Sequence, residues 1–219
     1  MHEGRKCVQG VAEIQRYNIS ILGITKMRWN TGGRMITATG EMKLYSGKEN
    51  ANDIHEMGVK FFLTRDASAS LMEWEPVSAR IVTARFHSHW HNVSIIQCYT
   101  PTNTAALVVK EKFYEQQQAV MDKVPKQDIV ILMGDINAKV GRDNRGKESV
   151  MGQHGADAIM NENGELLTDF CKANEMDIGA SLFPHKECHK VTWVSLDRRT
   201  QNQIKHHNQQ KAQNYHQRI

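Results

Sequence analysis

The sequence predicts an α/β fold in which sheets pack against outer helices, and three observations predict it. Residues Ile129-Val130-Ile131-Leu132-Met133 form an unbroken apolar run, the pattern of a strand buried on both faces. Two β-branched segments, Arg80 to Phe86 and Val93 to Tyr99, flank a short polar link as the arms of a hairpin do. Helical patterns lie on either side of the apolar run, and neither strict strand–helix alternation nor an all-strand pattern accounts for the order of elements.

Taken from the start, Val8, Val11, Ala12 and Ile14 recur at helical spacing between Cys7 and Tyr17, and Ile19 to Ile24 reads as a short strand. Thr25-Lys26-Met27-Arg28-Trp29 and a Thr-Gly-Gly loop follow, then a strand from Glu41 to Tyr45, a polar loop through Asp53 and a strand from Val59 to Leu63. At the hairpin tip His87, His89 and His91 alternate, as metal ligands on one strand face would, but at an exposed turn solvated histidines are the favoured reading. Pro101 stops the second arm. Ala106, Val109, Phe113, Val120 and Val124 mark one face of a long helix, with Asn103 or Thr104 as its cap and Pro125 at its end. Beyond the apolar strand a Gly-rich loop reaches Asn161-Glu162-Asn163-Gly164, and Leu166, Leu167, Phe170 and Cys171 define a second helix ending near Asn174. Met176 to Gly179 and Val191 to Val194 read as strands. From Gln201 onward Gln, Asn, His and Lys leave little to bury, which predicts poor order. The expected organisation is therefore one domain over 1–200 and a polar tail over 201–219, with no internal repeat.

Composition narrows the class. A chain of 219 residues supports one sizeable core, and 40% hydrophobic with 24% charged residues is ordinary for a globular protein. No apolar run approaches the ~18 residues of a membrane span. Met1-His2-Glu3-Gly4-Arg5-Lys6 has no apolar stretch after it, unlike a signal peptide. Cysteines at 7, 98, 171 and 188 form no C-x-x-C pair, which argues against a disulfide framework or a zinc ribbon. The expected location is intracellular, nuclear or cytoplasmic. The net charge of +4 is uneven: Lys186, Lys190, Arg198, Arg199, Lys205, Lys211 and Arg218 face only Glu187 and Asp197 after position 184. Such an end suits a polyanion, or is simply a solvated tail.

Chemistry is expected where the apolar strand opens into Gly134-Asp135-Ile136-Asn137. A carboxylate and a carboxamide two residues apart on a rigid strand end can orient a water and hydrogen-bond an anionic oxygen, as phosphodiester hydrolysis requires. The alternative is a turn in which both side chains only satisfy backbone groups.

Several stretches in order, Leu22-Gly23-Ile24-Thr25-Lys26-Met27-Arg28-Trp29, Trp74-Glu75-Pro76-Val77-Ser78, Ile96-Gln97-Cys98-Tyr99-Thr100-Pro101-Thr102-Asn103, Met133 to Gly141, Asn161-Glu162-Asn163-Gly164 and Thr192-Trp193, resemble the endonuclease/exonuclease/phosphatase superfamily. More closely they resemble the apurinic-endonuclease-like domain of non-LTR retrotransposons and the craniofacial development protein 2-like group. The resemblance runs to about residue 204. It implies a four-layer α/β/β/α sandwich of the DNase I-like type and Mg²⁺-dependent phosphodiester cleavage. By resemblance Asp135 orients the attacking water, Asn137 holds the scissile phosphate and the Tyr99 hydroxyl touches it. Asn103 and Trp193 fall on the nucleic-acid-binding rim. For Tyr99 and Trp193 a packing role is an equal alternative.

Departures from the family pattern carry as much weight. Where the family has Ser-Glu-x-x-Trp, with the Glu as main metal ligand, position 26 is lysine, which lacks a lone pair for Mg²⁺ and would contact phosphate instead. Where the family has Asn-Gln-Ile-Asp, the chain reads Asn202-Gln203-Ile204-Lys205. The family's opening Trp-Asn strand and closing Ser-Asp-His have no counterpart between Met1 and Ile219, and the fold is expected to be incomplete at both ends. His206 and His207 are poor substitutes, because a catalytic clamp must sit within about 3 Å of its target. No metal ligand set is assigned, and Mg is expected to bind poorly. The reading is a degenerate, weak or inactive phosphodiesterase domain of retrotransposon origin that retains DNA binding. Its alternatives are an active Mg-dependent DNA endonuclease, a small-substrate phosphatase on the same fold, and a non-functional element fragment.

Overall fold

The structure, a computed structural model, describes residues 14, 16–27, 32–47, 58–184, 186, 192–194, 201–203 and 205–210. Most of the expected Cys7–Tyr17 helix, the Arg28-Trp29 pair, the loop through Asp53, Cys188 and Val191 lie outside these residues. The chain divides into two units, Met1–Tyr99 and Thr100–Ile219.

In the first unit β1 (Ile21–Met27), β2 (Gly33–Ile36), β3 (Met42–Ser46) and β4 (Gly58–Leu63) form an antiparallel sheet in the order β1-β4-β3-β2. Every residue of β4 is buried. Strand alternation puts Val59, Phe61 and Leu63 on one face and Lys60 and Phe62 on the other. Burial of each Phe contributes roughly 2–3 kcal/mol. The lysines enter this core over an aromatic face: Nζ of Lys60 and Lys43 stand 4.6 and 5.3 Å from the Phe62 ring centroid, where the ring quadrupole favours cations.

The pairing of β1 with β4 breaks after Ile24↔Lys60 and resumes at Met27↔Gly58, so three steps on β1 match two on β4. One residue is extra, the count of a β-bulge. Lys26 sits in it with φ +60, a left-handed conformation that costs a non-glycine residue roughly 1–2 kcal/mol.

After α1 (Arg65–Ala69), capped by the Thr64 hydroxyl accepting from Ala67 N at 3.2 Å, come β5 (Leu71–Ser78), β6 (Ile81–Phe86) and β7 (Val93–Tyr99). The expected hairpin forms in the register Ile81↔Cys98 to Phe86↔Val93. Strands β2 and β5 were not anticipated, because neither alternates cleanly and β5 contains a proline. Pro76 is accommodated because β5 pairs with β6 and with no other described strand.

The second unit holds α2 (Leu107–Met121), β8 (Ile129–Asp135), α3 (Glu162–Ala173), β9 (Met176–Ile178), α4 (Gly179–Leu182), β10 (Trp193–Val194), β11 (Gln201–Asn202) and β12 (Lys205–Gln210). Four expectations change here. Only Val130 and Leu132 of the apolar run are fully buried; Ile129, Ile131 and Met133 keep some exposure, so β8 is not sealed on both faces. Helix α2 buries Lys110, Phe113, Gln117 and Val120, whereas Val109 is 45% exposed. Its cap position is Ala106 with no side-chain hydrogen bond, because Asn103 is used elsewhere. Residues 205–210, read as poorly ordered, form a strand between β8 and β9, antiparallel to both. Backbone hydrogen bonding on two sides suffices for such a strand, and apolar composition cannot report it.

Helix α3 follows its pattern. Asn161 caps it, Oδ1 accepting from Gly164 N at 2.8 Å, and Leu167, Phe170 and Cys171 are buried. Burial pushes the Cys171 thiol up to about 12, reinforced by Asp177, so it is inert. Reciprocal amide bonds between Gln118 and Asn174, at 2.8 and 3.0 Å, tie α2 to the end of α3. No helix among the described residues is long and apolar enough to cross a membrane.

Candidate functional site

In the second unit, the end of β8 is shaped by amides. Asp135 is 1% exposed at the last position of the strand, and its carbonyl accepts from Thr100 N at 3.0 Å. Gly134 precedes it at φ +144 and Asn137 follows at φ +52, so the backbone reverses here through conformations that glycine and asparagine tolerate best. Asn137 Nδ2 donates to the Thr100 carbonyl at 2.9 Å. The Asn137 carbonyl in turn accepts from Asn161 Nδ2 at 3.2 Å and Asn163 Nδ2 at 3.3 Å. Asn161 Oδ1 also accepts from Lys139 N at 2.9 Å. The Thr100–Asn103 segment, the Asp135–Lys139 turn and the start of α3 are thus cross-braced by three carboxamides.

Asn103 belongs to the same network. Its Oδ1 accepts from Asn163 N at 3.2 Å, and its carbonyl accepts from Lys110 Nζ at 2.7 Å. Position 205 also falls here by register, with Lys205 opposite Asp135 and His206 opposite Gly134 on the antiparallel β12. Trp193 opens β10, paired with Asn202 of β11. On this loop Gln203 Oε1 accepts from Ala156 N at 3.2 Å, and Arg142 Nε donates to the Gly155 carbonyl at 3.0 Å. Burial raises the pKa of Asp157 above the usual carboxylate value against a lowering hydrogen bond from Gln203 and the charges of Lys139 and Arg142.

In the first unit, the end of β7 is shaped by cations. Lys26 Nζ lies 5.4 Å and Arg80 Cζ 5.1 Å from the centroid of the Tyr99 ring. Arg80 Nη1 donates to the Tyr99 carbonyl at 3.1 Å while Tyr99 N donates back to the Arg80 carbonyl at 2.9 Å. Burial pulls the Arg80 guanidinium below its ordinary value and Tyr99 opposes that shift; guanidinium stays charged throughout the accessible pH range. The structure therefore brings Lys26 together with Tyr99, and Asp135 together with Asn137 and Asn103. Arg80, Lys110, Asn161 and Asn163 are the participants that pattern reading missed. The two asparagines stood in a quoted motif without a role, and the two cations looked like an ordinary strand start and an ordinary helix position.

The resemblance implies a divalent ion held chiefly by a carboxylate at position 26. That position offers an ammonium on an exposed bulge, with no lone pair to give. Among the described residues no group of three or more His, Cys, Asp or Glu is placed to hold a metal ion, and this includes the exposed His87, His89 and His91. Among the described residues, the donors present do not make up the divalent-cation ligand set that the resemblance implies.

No family model matches the chain. It is 30% identical over 192 residues to craniofacial development protein 2 of Tragulus javanicus and, at the same level, of Bos taurus, covering 88% of this chain. It spans about a third of the length of those relatives (32% and 31%). Among solved structures, the endonuclease domain of TRAS1, a telomere-specific non-LTR retrotransposon, superposes with a TM-score of 0.58 over 90% of this chain and 75% of that one, at 14% identity. The 3′ phosphatase NExo from Neisseria, bound to a product DNA hairpin, gives 0.60 over 93% and 81%, at 13% identity.

The fold is that of the endonuclease/exonuclease/phosphatase family. The DNase I-like α/β class expected from the motifs is borne out, as is the likeness to the retrotransposon endonuclease domain and to craniofacial development protein 2. Within the endonuclease/exonuclease/phosphatase fold, Asp135 and Asn137 stand at a strand end as a turn built to hold geometry, and Lys26 stands beside Tyr99 as a cation.

Proposed function

We propose that this chain is a nucleic-acid-binding domain on a phosphodiesterase fold, of retrotransposon-endonuclease descent, whose hydrolytic power is impaired because a lysine replaces the metal-holding carboxylate. The observation that carries this reading is the set of two cations, Lys26 and Arg80, around the Tyr99 ring. Two positive charges beside a phenol suit a phosphodiester: the cations neutralise it and the hydroxyl can donate to it. Asp135 can orient a water and Asn137 can hold the turn. Without a Lewis acid that water keeps its ordinary acidity, so affinity for the backbone outlasts turnover. Two structural neighbours, an endonuclease domain and a phosphatase bound to a DNA hairpin, make duplex DNA the polyanion to test.

Fluorescence anisotropy with a labelled duplex should show binding that is independent of sequence and weakens about tenfold between about 50 and 200 mM salt, as release of roughly two counterions requires. EDTA should leave it unchanged. Supercoiled plasmid with Mg²⁺ or Mn²⁺ should remain unnicked. Absence of binding at low salt overturns the proposal, and nicking that disappears in Asp135→Ala establishes the active-endonuclease alternative.

A further inference from the structure

A lysine without exposed surface is costly unless its ammonium is fully engaged. Lys110 is such a residue, 0% exposed on the buried face of α2. Its Nζ donates to the carbonyl of Asn103 at 2.7 Å and to Glu162 Oε2, at the first position of α3, at 2.8 Å. The Asn103 side chain is tethered as well, since Oδ1 accepts from Asn163 N at 3.2 Å. Asn163 is fully buried, and its Nδ2 donates to the Pro101 carbonyl at 2.9 Å and to the Asn137 carbonyl at 3.3 Å. One connected set of bonds therefore runs from the buried ammonium through Asn103 and Asn163 to the backbone of the Asp135–Asn137 turn. Asn103 itself is exposed, and with both of its oxygens engaged its Nδ2 amino group is the polar handle left for a ligand. That handle is a donor, which matches a phosphate oxygen.

We infer that Lys110 is a positioning residue: from inside the fold it locks Asn103 so that the Asn103 amide donates to a phosphate of bound nucleic acid. This rests on the nucleic-acid-binding reading given above. Glu162 balances the buried charge and fixes the ammonium against the start of α3, so the pair joins helix and loop. A purely structural Lys110 would stabilise the fold without altering what Asn103 does.

A double-mutant cycle separates the two roles. Asn103→Ala and Lys110→Met should each weaken duplex affinity several-fold, up to about tenfold, as loss of one charge-assisted hydrogen bond does. The double variant should bind no more weakly than either single one, because without Lys110 the Asn103 amide no longer contributes. Hydrogen exchange at the Asn163 backbone amide, the donor to Asn103 Oδ1, should accelerate in Lys110→Met beyond any change at the core amides of β4. Additive losses of affinity, or an Asn163 amide that exchanges as in the unaltered protein, overturn the inference. If Lys110→Met does not fold, Glu162→Ala decides by the same two readouts, since Glu162 is half exposed and its removal takes away the acceptor that fixes the Lys110 ammonium against α3. Should the unaltered protein fail to bind DNA, the proposed function falls, while Asn163 exchange still reports whether Lys110 holds Asn103.

Discussion

At the end of β7 the side chains around Tyr99 are cations, Lys26 and Arg80, whereas at the end of β8 the turn after Asp135 is held by carboxamides, Asn137, Asn161 and Asn163. The first arrangement depends on charge and is anchored by a lysine on a left-handed bulge. The second depends on hydrogen bonds whose partners are mostly backbone carbonyls and amides. Electrostatics can be rewritten by one substitution, as the lysine at position 26 illustrates against the family pattern. A braced turn resists that, because the bracing is shared among three amides, of which Asn163 bonds to two other segments at once. A lysine at position 26, at one strand end, is therefore compatible with an intact turn at the other.

The largest effect expected from this contrast is steric. A Cβ at Gly164 would overlap the Lys139 carbonyl oxygen, which is backbone and cannot swing aside, and would press on Met160 Cγ at 2.7 Å. Gly164→Ala should destabilise the protein by about 3 kcal/mol in urea denaturation. A loss under about 1 kcal/mol would show that the turn yields, and the claim of a braced turn would fail. Asn163→Ala comes next, at about 2 kcal/mol, because it leaves the buried Pro101 carbonyl without its donor. If that variant is as stable as the parent, the amides are ornaments on a turn held by something else.

Lys26→Gly sharpens the other half. Glycine relieves the left-handed strain at φ +60 but forfeits the contact with the Tyr99 ring, so the two changes offset and stability should move by less than about 0.5 kcal/mol. DNA affinity should nonetheless fall several-fold, with the salt slope reduced by about one. Unfolding on this substitution would place Lys26 among structural residues and remove the distinction between the two regions.

Much of this was legible before the fold was known, but unevenly. The Asp135–Asn137 turn announced itself because an apolar strand ended in Gly-Asp-x-Asn, and the hairpin because its arms were β-branched. Lys110 was invisible: within a helix a lysine reads as solvent-facing, and only the acceptors brought by Asn103 and Glu162, 7 and 52 residues away, make its burial tolerable. Strand β12 was misread for a related reason. Its Lys-His-His-Asn-Gln-Gln carries no apolar period, so its position is fixed by ladders to β8 and β9 that no local pattern encodes.

The smallest effect comes from a pair that resembles the Lys110–Glu162 bridge in chemistry and differs in setting. Arg145 donates to Asp143 from Nε at 2.9 and 3.0 Å and from Nη2 at 2.5 Å, and these bonds hold the carboxyl down at about 2 against an ordinary 3.8. A depressed acid stabilises the folded state above its unfolded pKa and loses that contribution as pH falls toward the folded value, here between about 4 and 2. Both side chains are largely exposed, so water and salt screen the pair and little stability should ride on it. Arg145→Ala should return the Asp143 pKa toward 3.8 in an NMR titration, while the urea midpoint at pH 3 stays where it was. An unmoved pKa would mean that the pair is not populated in solution. A midpoint that falls would mean that even an exposed charge pair braces this unit, and then the rigidity ascribed to the buried amides would have to be shared with its surface.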